Sequence, residues 1–347
     1  MGAVDDFTKE TISRLGPGAY LVNIVPSGAF VLTTWALLAS DLLPWERPTS
    51  PAAGSDAVLQ EARALGASGW VLLLVAVLVV AVLLRPFQIS AVQLLEGYWR
   101  SRFGLRLLER LAVERHVRKF DVHEAWSRVL PRHGSSVDFQ EVARHSRREH
   151  RRAQKAYLGR RIVKAYPLDR TIFLPTRLGN VLRRAETTAG ERYGLNSVVT
   201  YPRLYPHLST PMNNALANRI DLIDTACTFV IVFGAQAVIS APLLWNVDGW
   251  SLIPVAFVVF AALAYRGART VAERYAESLC AAYDLHRFDM LKAMHRKLPR
   301  DPQEELFENQ ELSKFLAQGK PWPEITQRGW SYDHPADDPA EPPRPGP

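Results

Sequence analysis

Apolar residues along the chain gather into four long blocks, and inside each block the pattern is continuous rather than periodic. Gly69 to Leu84 (GWVLLLVAVLVVAVLL), with Ala64 to Ser68 before it, reaches the ~20 residues needed to cross a ~30 Å hydrocarbon layer and stops at Arg85-Pro86. Thr225 to Trp245 carries Gln236 as its strongly polar interior group. Trp250 to Tyr265 follows after Asn246, Val247, Asp248 and Gly249, a spacing that predicts a tight helical hairpin. Pro17 to Ala39 is the weakest block, interrupted by Asn23 and Pro26 but uncharged throughout, and it reads as a kinked transmembrane helix. A cleaved signal peptide would want a basic first region, whereas Asp5, Asp6 and Glu10 precede this block. The predicted fold is all-α: a polytopic membrane protein with four transmembrane helices in two hairpins and a helical cytoplasmic module.

Beyond Arg85 the pattern turns periodic. Ile89, Val92, Leu95, Trp99, Phe103, Leu107 and Leu111 recur at steps of three and four, so the second span is expected to continue as an amphipathic helix, with Pro86 starting or kinking the extension. Val271, Tyr275, Leu279, Ala282, Leu285, Phe288 and Leu291 predict a second such helix reaching about Lys297, able to pack on the first. Between them, Pro175, Pro202, Pro206 and Pro211 divide a connector whose Leu174, Leu178, Val181 and Leu182 indicate one short amphipathic helix. The resulting division is an N-terminus over 1–16, a first transmembrane pair over 17–99 with an outer loop at 40–68, and a basic helical insert over 100–220. A second transmembrane hairpin over 221–266, amphipathic helices over 267–319 and a tail over 320–347 complete it. The tail, ending in HPADDPAEPPRPGP, has the composition of a disordered segment.

Charge sets the expected orientation. The 347 residues hold 42 Lys+Arg against 35 Asp+Glu, but the surplus is concentrated: Pro86 to Ile220 has 25 cationic and 11 acidic residues. Asp41 to Ser68 holds only Arg47 and Arg63, so the positive-inside rule makes the insert and both termini cytoplasmic. Trp45, Trp70, Trp245 and Trp250 then mark outer span ends, and Tyr20 and Tyr265 inner ones. Cys227 and Cys280 are too few for a disulfide scaffold and read as buried thiols.

Ser135 with Asp138 reads as a capping box opening a helix to about Ala165. On its wheel Arg144, Arg147, Arg148, Arg151, Arg152 and Lys155 fall within about 140° of arc, forming one positive stripe. The plain reading is a solvated face; the functional one is contact with anionic headgroups or another phosphate. No nucleic-acid-binding signature accompanies the stripe, so nucleic acid is not an expected partner. Glu141, His145 and Glu149 share a helix face, but neighbouring cations oppose a metal, and intrahelical charge pairs explain them better. Ser135-Ser136 lacks a nucleophile-elbow context. No catalytic constellation or cofactor is expected. Asp221 and Asp224 lie three apart at the mouth of the third span, either as charges at a helix N-terminus or, for Asp224, facing a pore or polar cavity. Asn23, beside Pro26, is the other candidate for lining such a cavity.

The segments LLRPFQISAVQLLEGYW, LPTRLGNVLRRAE with YGLNSVVTYPRLYPHL, and AYDLHRFDMLKAMHRKLP resemble the recurring segments of an uncharacterised bacterial family of four-span membrane proteins, over roughly residues 70–300. That resemblance implies a bacterial plasma membrane and no activity, and the preference for arginine over lysine suits a GC-rich bacterial genome. The layout of two spans, a helical insert, two spans and a helix is similar to the bestrophin channels in architecture alone, with no shared motif. Two expectations follow. One is a membrane-anchored interaction or regulatory protein whose partners are the bilayer, anionic lipids and a cytosolic protein. The other is a homo-oligomeric ion channel.

Overall fold

The computed structural model describes residues 24–40, 51–99, 106–128, 147–244, 249–318 and 332–333. These form helices α1 (Val25–Leu38), α2 (Pro51–Ala64), α3 (Gly66–Leu84), α4 (Gln88–Glu96), α5 (Arg106–Ser127), α6 (Arg147–Val163), α7 (Arg177–Thr188), α8 (Ser197–Leu204), α9 (Thr210–Leu244), α10 (Leu252–Ala293) and α11 (Pro302–Gln318), with no strand among the described residues. Asn23, Arg144, the Ser135 cap and the turn residues Asn246 to Asp248 lie outside the described residues, as does nearly all of the tail.

Among the described residues, three helical stretches are long and apolar enough to cross a membrane: Gly66–Glu96, Thr210–Leu244 and Leu252–Ala293. They are consistent with a membrane protein. The expectation of four spans is met only in part. α1 has 14 described residues, about 21 Å at 1.5 Å per residue, short of a ~30 Å apolar layer. Pro26 lies at the start of the described part of this helix, and the residues before Ile24 that would test a kink lie outside the described residues. α2 was not foreseen; its PAAGSDAVLQEARA sequence has no strong apolar periodicity.

The chain divides into two compact units, Met1–Arg183 with Ala215–Tyr275, and Arg184–Asn214 with Ala276–Pro347. In the first unit, α1 lies against α3 in antiparallel sense. Trp35 meets Trp70 with ring centroids 6.1 Å apart, and a methyl at Gly28 would touch Val77. α9 and α10 also run antiparallel: Leu243 and Leu244 cluster with Trp250 and Ile253, Phe233 meets Phe257 and Phe260, and Cys227 meets Ala268 and Ala272. Small residues at the last contact let the two backbones approach. Away from the face that meets α1, where Val77 and Ala81 are buried, α3 is exposed, with Leu72 at 69% and Val82 at 71% of full accessibility. In water such a surface would be untenable; in lipid it is ordinary.

The second span does not run on to Leu111. A 3-10 turn at Arg85–Phe87 relays α3 into α4, and Gly97 then ends the helix at φ 101°, with its N–H on the Gln93 and Leu94 carbonyls. A left-handed residue is nearly free for glycine and costly for others, so the periodicity past Trp99 belongs to a separate element.

The second unit is held by polar contacts. Gly194, at φ 78°, closes a 3-10 turn at Glu191–Tyr193 and lies so near the Leu306 carbonyl that a Cβ would collide. Tyr193 donates its hydroxyl proton to Asp284 at 2.7 Å, and Arg287 binds Glu305 at 2.7 Å while lying 3.9 Å over the Tyr193 ring. Asn309 donates to the Tyr193 carbonyl at 2.8 Å, and the Thr200 and Tyr283 hydroxyls meet at 2.9 Å. The YGLNSVVT and AYDLHRFD segments therefore meet as interlocking parts of one small core.

Candidate functional site

Helices α5 and α6 pair into a hairpin. Gly159 makes the close approach possible: a Cβ there would meet the His123 carbonyl at 2.6 Å and Trp126 at 3.0 Å. Beneath it, Phe120, Tyr166 and Phe173 form an aromatic cluster with centroids 5.3–5.7 Å apart. The two arms handle charge differently. On α5, Arg118 pairs with Glu114 at 3.4 Å, Arg128 with Glu124 at 2.9 Å, and Arg170 reaches back to Asp121 and Glu124 at 3.0 and 2.8 Å. On α6, Glu149 is the one acid among Arg147, Arg148, Arg151, Arg152, Lys155, Arg160 and Arg161.

Of the stripe read from the wheel, Arg151 and Arg152 are exposed with no ion-pair partner among the described residues. Lys155 is turned onto the Trp126 ring at 5.7 Å, so part of the stripe serves the hairpin itself. Arg147 and Arg148 lie in the first turn of α6, with side chains outside the described set. Arg160 and Arg161, which the wheel left off the stripe, are also exposed and extend the cationic surface.

Asp221 and Asp224 are not at a helix N-terminus. α9 starts at Thr210, so both sit three to four turns inside it, beyond the first turn where the dipole acts. Each is half-buried, and neither carboxylate meets a hydrogen-bond or ion-pair partner among the described residues. Thr225 and Thr228 donate to the Asp221 and Asp224 backbone carbonyls at 2.7 and 2.8 Å, a local bond available to any hydroxyl one turn on. Further along, fully buried Gln236 donates to the Phe30 carbonyl at 3.1 Å and the Thr34 hydroxyl at 2.7 Å, tying α9 to α1. Its Oε1 is buried without a partner. Cys227 is buried, but Cys280 is only half-buried, which corrects the reading of two buried thiols.

Periodicity missed the Leu174 to Asn180 turn. Thr176 caps α7, accepting from the Gly179 N–H at 3.0 Å and donating to the Glu96 carbonyl at 2.8 Å. Asn180, fully buried, accepts from Leu174 N–H at 2.9 Å and donates to the Leu174 and Thr176 carbonyls, both at 2.7 Å. A threonine three residues before Gly179, just ahead of the apolar run, was the available cap signal.

No known family, curated protein or solved structure matches the chain. Neither the family resemblance nor the bestrophin-like layout therefore adds a residue role. What the site can do rests on its own chemistry: an exposed cationic arm on a membrane-associated scaffold attracts polyanions, most of all when a bilayer supplies them.

Proposed function

We propose that this chain is a bacterial plasma-membrane protein that acts as a membrane-anchored interaction or regulatory module, with its α6 arm engaging anionic lipid headgroups and a cytosolic partner received on the same side. One observation carries the reading. Arg118, Arg128 and Arg170 each pair with an acid of α5, whereas Arg151, Arg152, Arg160 and Arg161 are exposed with no counter-charge among the described residues. Each cation near an anionic surface contributes about 1 kcal/mol, so four of them make a useful salt-sensitive contact. The charge count further supports four spans with both termini and the insert cytoplasmic. A thiol probe at Ser55 should then label from outside and one at Ser136 should not.

The test is hydrogen exchange on the full chain in nanodiscs. Peptides covering α6 should be protected in phosphatidylglycerol and not in phosphatidylcholine, and the protection should weaken as salt rises. Replacing Arg151, Arg152, Arg160 and Arg161 with glutamine should remove it. Equal exchange in both lipids would leave α6 as a solvated face.

A second reading, a homo-oligomeric channel of bestrophin-like architecture, is favoured by one observation: the unpartnered Asp224 carboxylate within a helix long and apolar enough to span.

A further inference from the structure

A different set of cations converges within the first unit. His116 and Lys119 lie one turn apart on α5. The His116 Nδ1 and the Tyr166 hydroxyl share a hydrogen bond at 2.8 Å, and the imidazole also meets the Pro175 backbone. The Tyr166 oxygen also takes a hydrogen bond from Arg177, the first residue of α7. The next residue, Leu178, packs with Ala268 and donates its N–H to the Tyr265 hydroxyl at 3.2 Å, which brings the start of α7 beside Arg269 on α10.

These cations repel one another. Burial first, then Arg177, Arg115 and Arg269, hold the Lys119 ammonium below its usual range. Burial first, then Arg177 and Lys119, push His116 down to about 4, so it is neutral at pH 7. Arg115, Lys119 and Arg177 have no ion pair among the described residues. Arg269 has one ion pair, with Glu273 at 3.6 Å, but its buried Nε has no acceptor within hydrogen-bond distance. Folding a knot of like charges together against an apolar layer is unfavourable unless something negative joins it.

The place is also informative. Tyr265 closes the apolar run of α10, and Arg269 lies one turn past it, at the depth where headgroup phosphates sit. Two guanidinium forks and an ammonium can share the several oxygens of one phosphate, a match that a single carboxylate does not offer.

We propose that Lys119, Arg177 and Arg269 form a phosphate-binding site at the membrane edge, filled by the headgroup of an anionic phospholipid, with His116 and Tyr166 as positioning residues that hold Arg177. The site is separate from the α6 arm and shares with the preceding reading only the membrane location.

The experiment is thermal unfolding of the full chain in dodecyl maltoside, titrated with phosphatidylglycerol, phosphatidylcholine or inorganic phosphate. Phosphatidylglycerol should raise the midpoint by about 3 °C or more, and phosphatidylcholine should not. A rise with inorganic phosphate alone would keep the phosphate chemistry and overturn the lipid source. Lys119→Gln should abolish the shift and, without lipid, raise the midpoint by relieving repulsion; Arg177→Gln should abolish the shift too. Arg151→Gln with Arg152→Gln should leave the shift intact, so failure here is distinct from failure of the α6 arm. The Lys119 side chain makes no hydrogen bond among the described residues, so its variant decides the matter even if Arg177→Gln does not fold. The proposal is overturned if no anion shifts the midpoint, or if the shift survives in Lys119→Gln.

Discussion

The Leu174 to Asn180 turn and the α6 arm treat polar groups in opposite ways. In the turn, the Asn180 amide meets both backbone groups of Leu174 and the Thr176 carbonyl, and the Thr176 hydroxyl serves the Glu96 carbonyl and the Gly179 N–H. On the arm, Arg151, Arg152, Arg160 and Arg161 meet no acid among the described residues. Buried polar groups must be matched internally because the alternative costs ~1–3 kcal/mol each. Exposed cations carry no such obligation, and nothing in the fold explains their accumulation. The difference separates residues that make the structure from residues that wait for something outside it.

The largest expected effect breaks the matched side. Asn180→Leu keeps the approximate volume but leaves the Leu174 N–H and carbonyl without the amide, while the Thr176 carbonyl keeps the residue-180 backbone N–H at 3.2 Å, and should cost about 2–3 kcal/mol in unfolding free energy. Denaturant unfolding of the full chain in detergent measures it. A cost below about 1 kcal/mol would mean that water or backbone adjustment replaces the amide. The glutamine variant of the arm should show the reverse: stability within about 0.5 kcal/mol of the parent, with loss of the lipid-dependent exchange protection.

How much of this was legible follows the same division. The apolar blocks at Gly69, Thr225 and Trp250 were plain in the sequence because lipid demands only length and apolarity. Gly97 was visible but was overridden by the i, i+3, i+4 pattern on either side of it; a helix stop rests on one residue, whereas periodicity draws on many. Asn180 could not be recognised, since its partners are backbone groups and one of them comes from a turn six residues before. The Lys119, Arg177 and Arg269 cluster was likewise hidden, because its members are scattered over 150 positions on three helices and each looks ordinary alone. The stripe was readable from its spacing, but not that Lys155 would turn onto Trp126.

A smaller effect comes from His116, which belongs to the matched side through Tyr166 yet lies among unmatched cations. Its folded value is near 4 against an ordinary 6.5, from burial and from Arg177. Between these values the unfolded chain binds a proton that the folded chain does not, so this contribution to stability is present above about pH 6.5 and is lost as pH falls toward 4. His116→Gln should flatten that part of the pH–stability curve, read as midpoint against pH. Phosphatidylglycerol bound at the Lys119 site should also narrow the window, because a nearby anion favours the charged imidazole.

The smallest stability effect is expected at Asp224, which bears most directly on the two functional readings. As an unpartnered, half-buried carboxylate far from the α9 N-terminus, it gains nothing from the helix dipole and has no ion pair to lose. Asp224→Asn removes the charge at nearly constant shape, so unfolding should change by less than about 0.5 kcal/mol or shift slightly toward greater stability. If the carboxylate faces a permeation path, the same variant in planar bilayers should lower the preference for cations over anions. Asp221, one turn earlier and also half-buried, is the internal control, and its asparagine variant should change selectivity less. Were the purified protein monomeric and electrically silent with either residue at position 224, the carboxylate would belong with the unmatched cations of α6, as a group without a role in the fold. Its partner would then be sought among soluble proteins that carry a positive patch, and not among permeating ions.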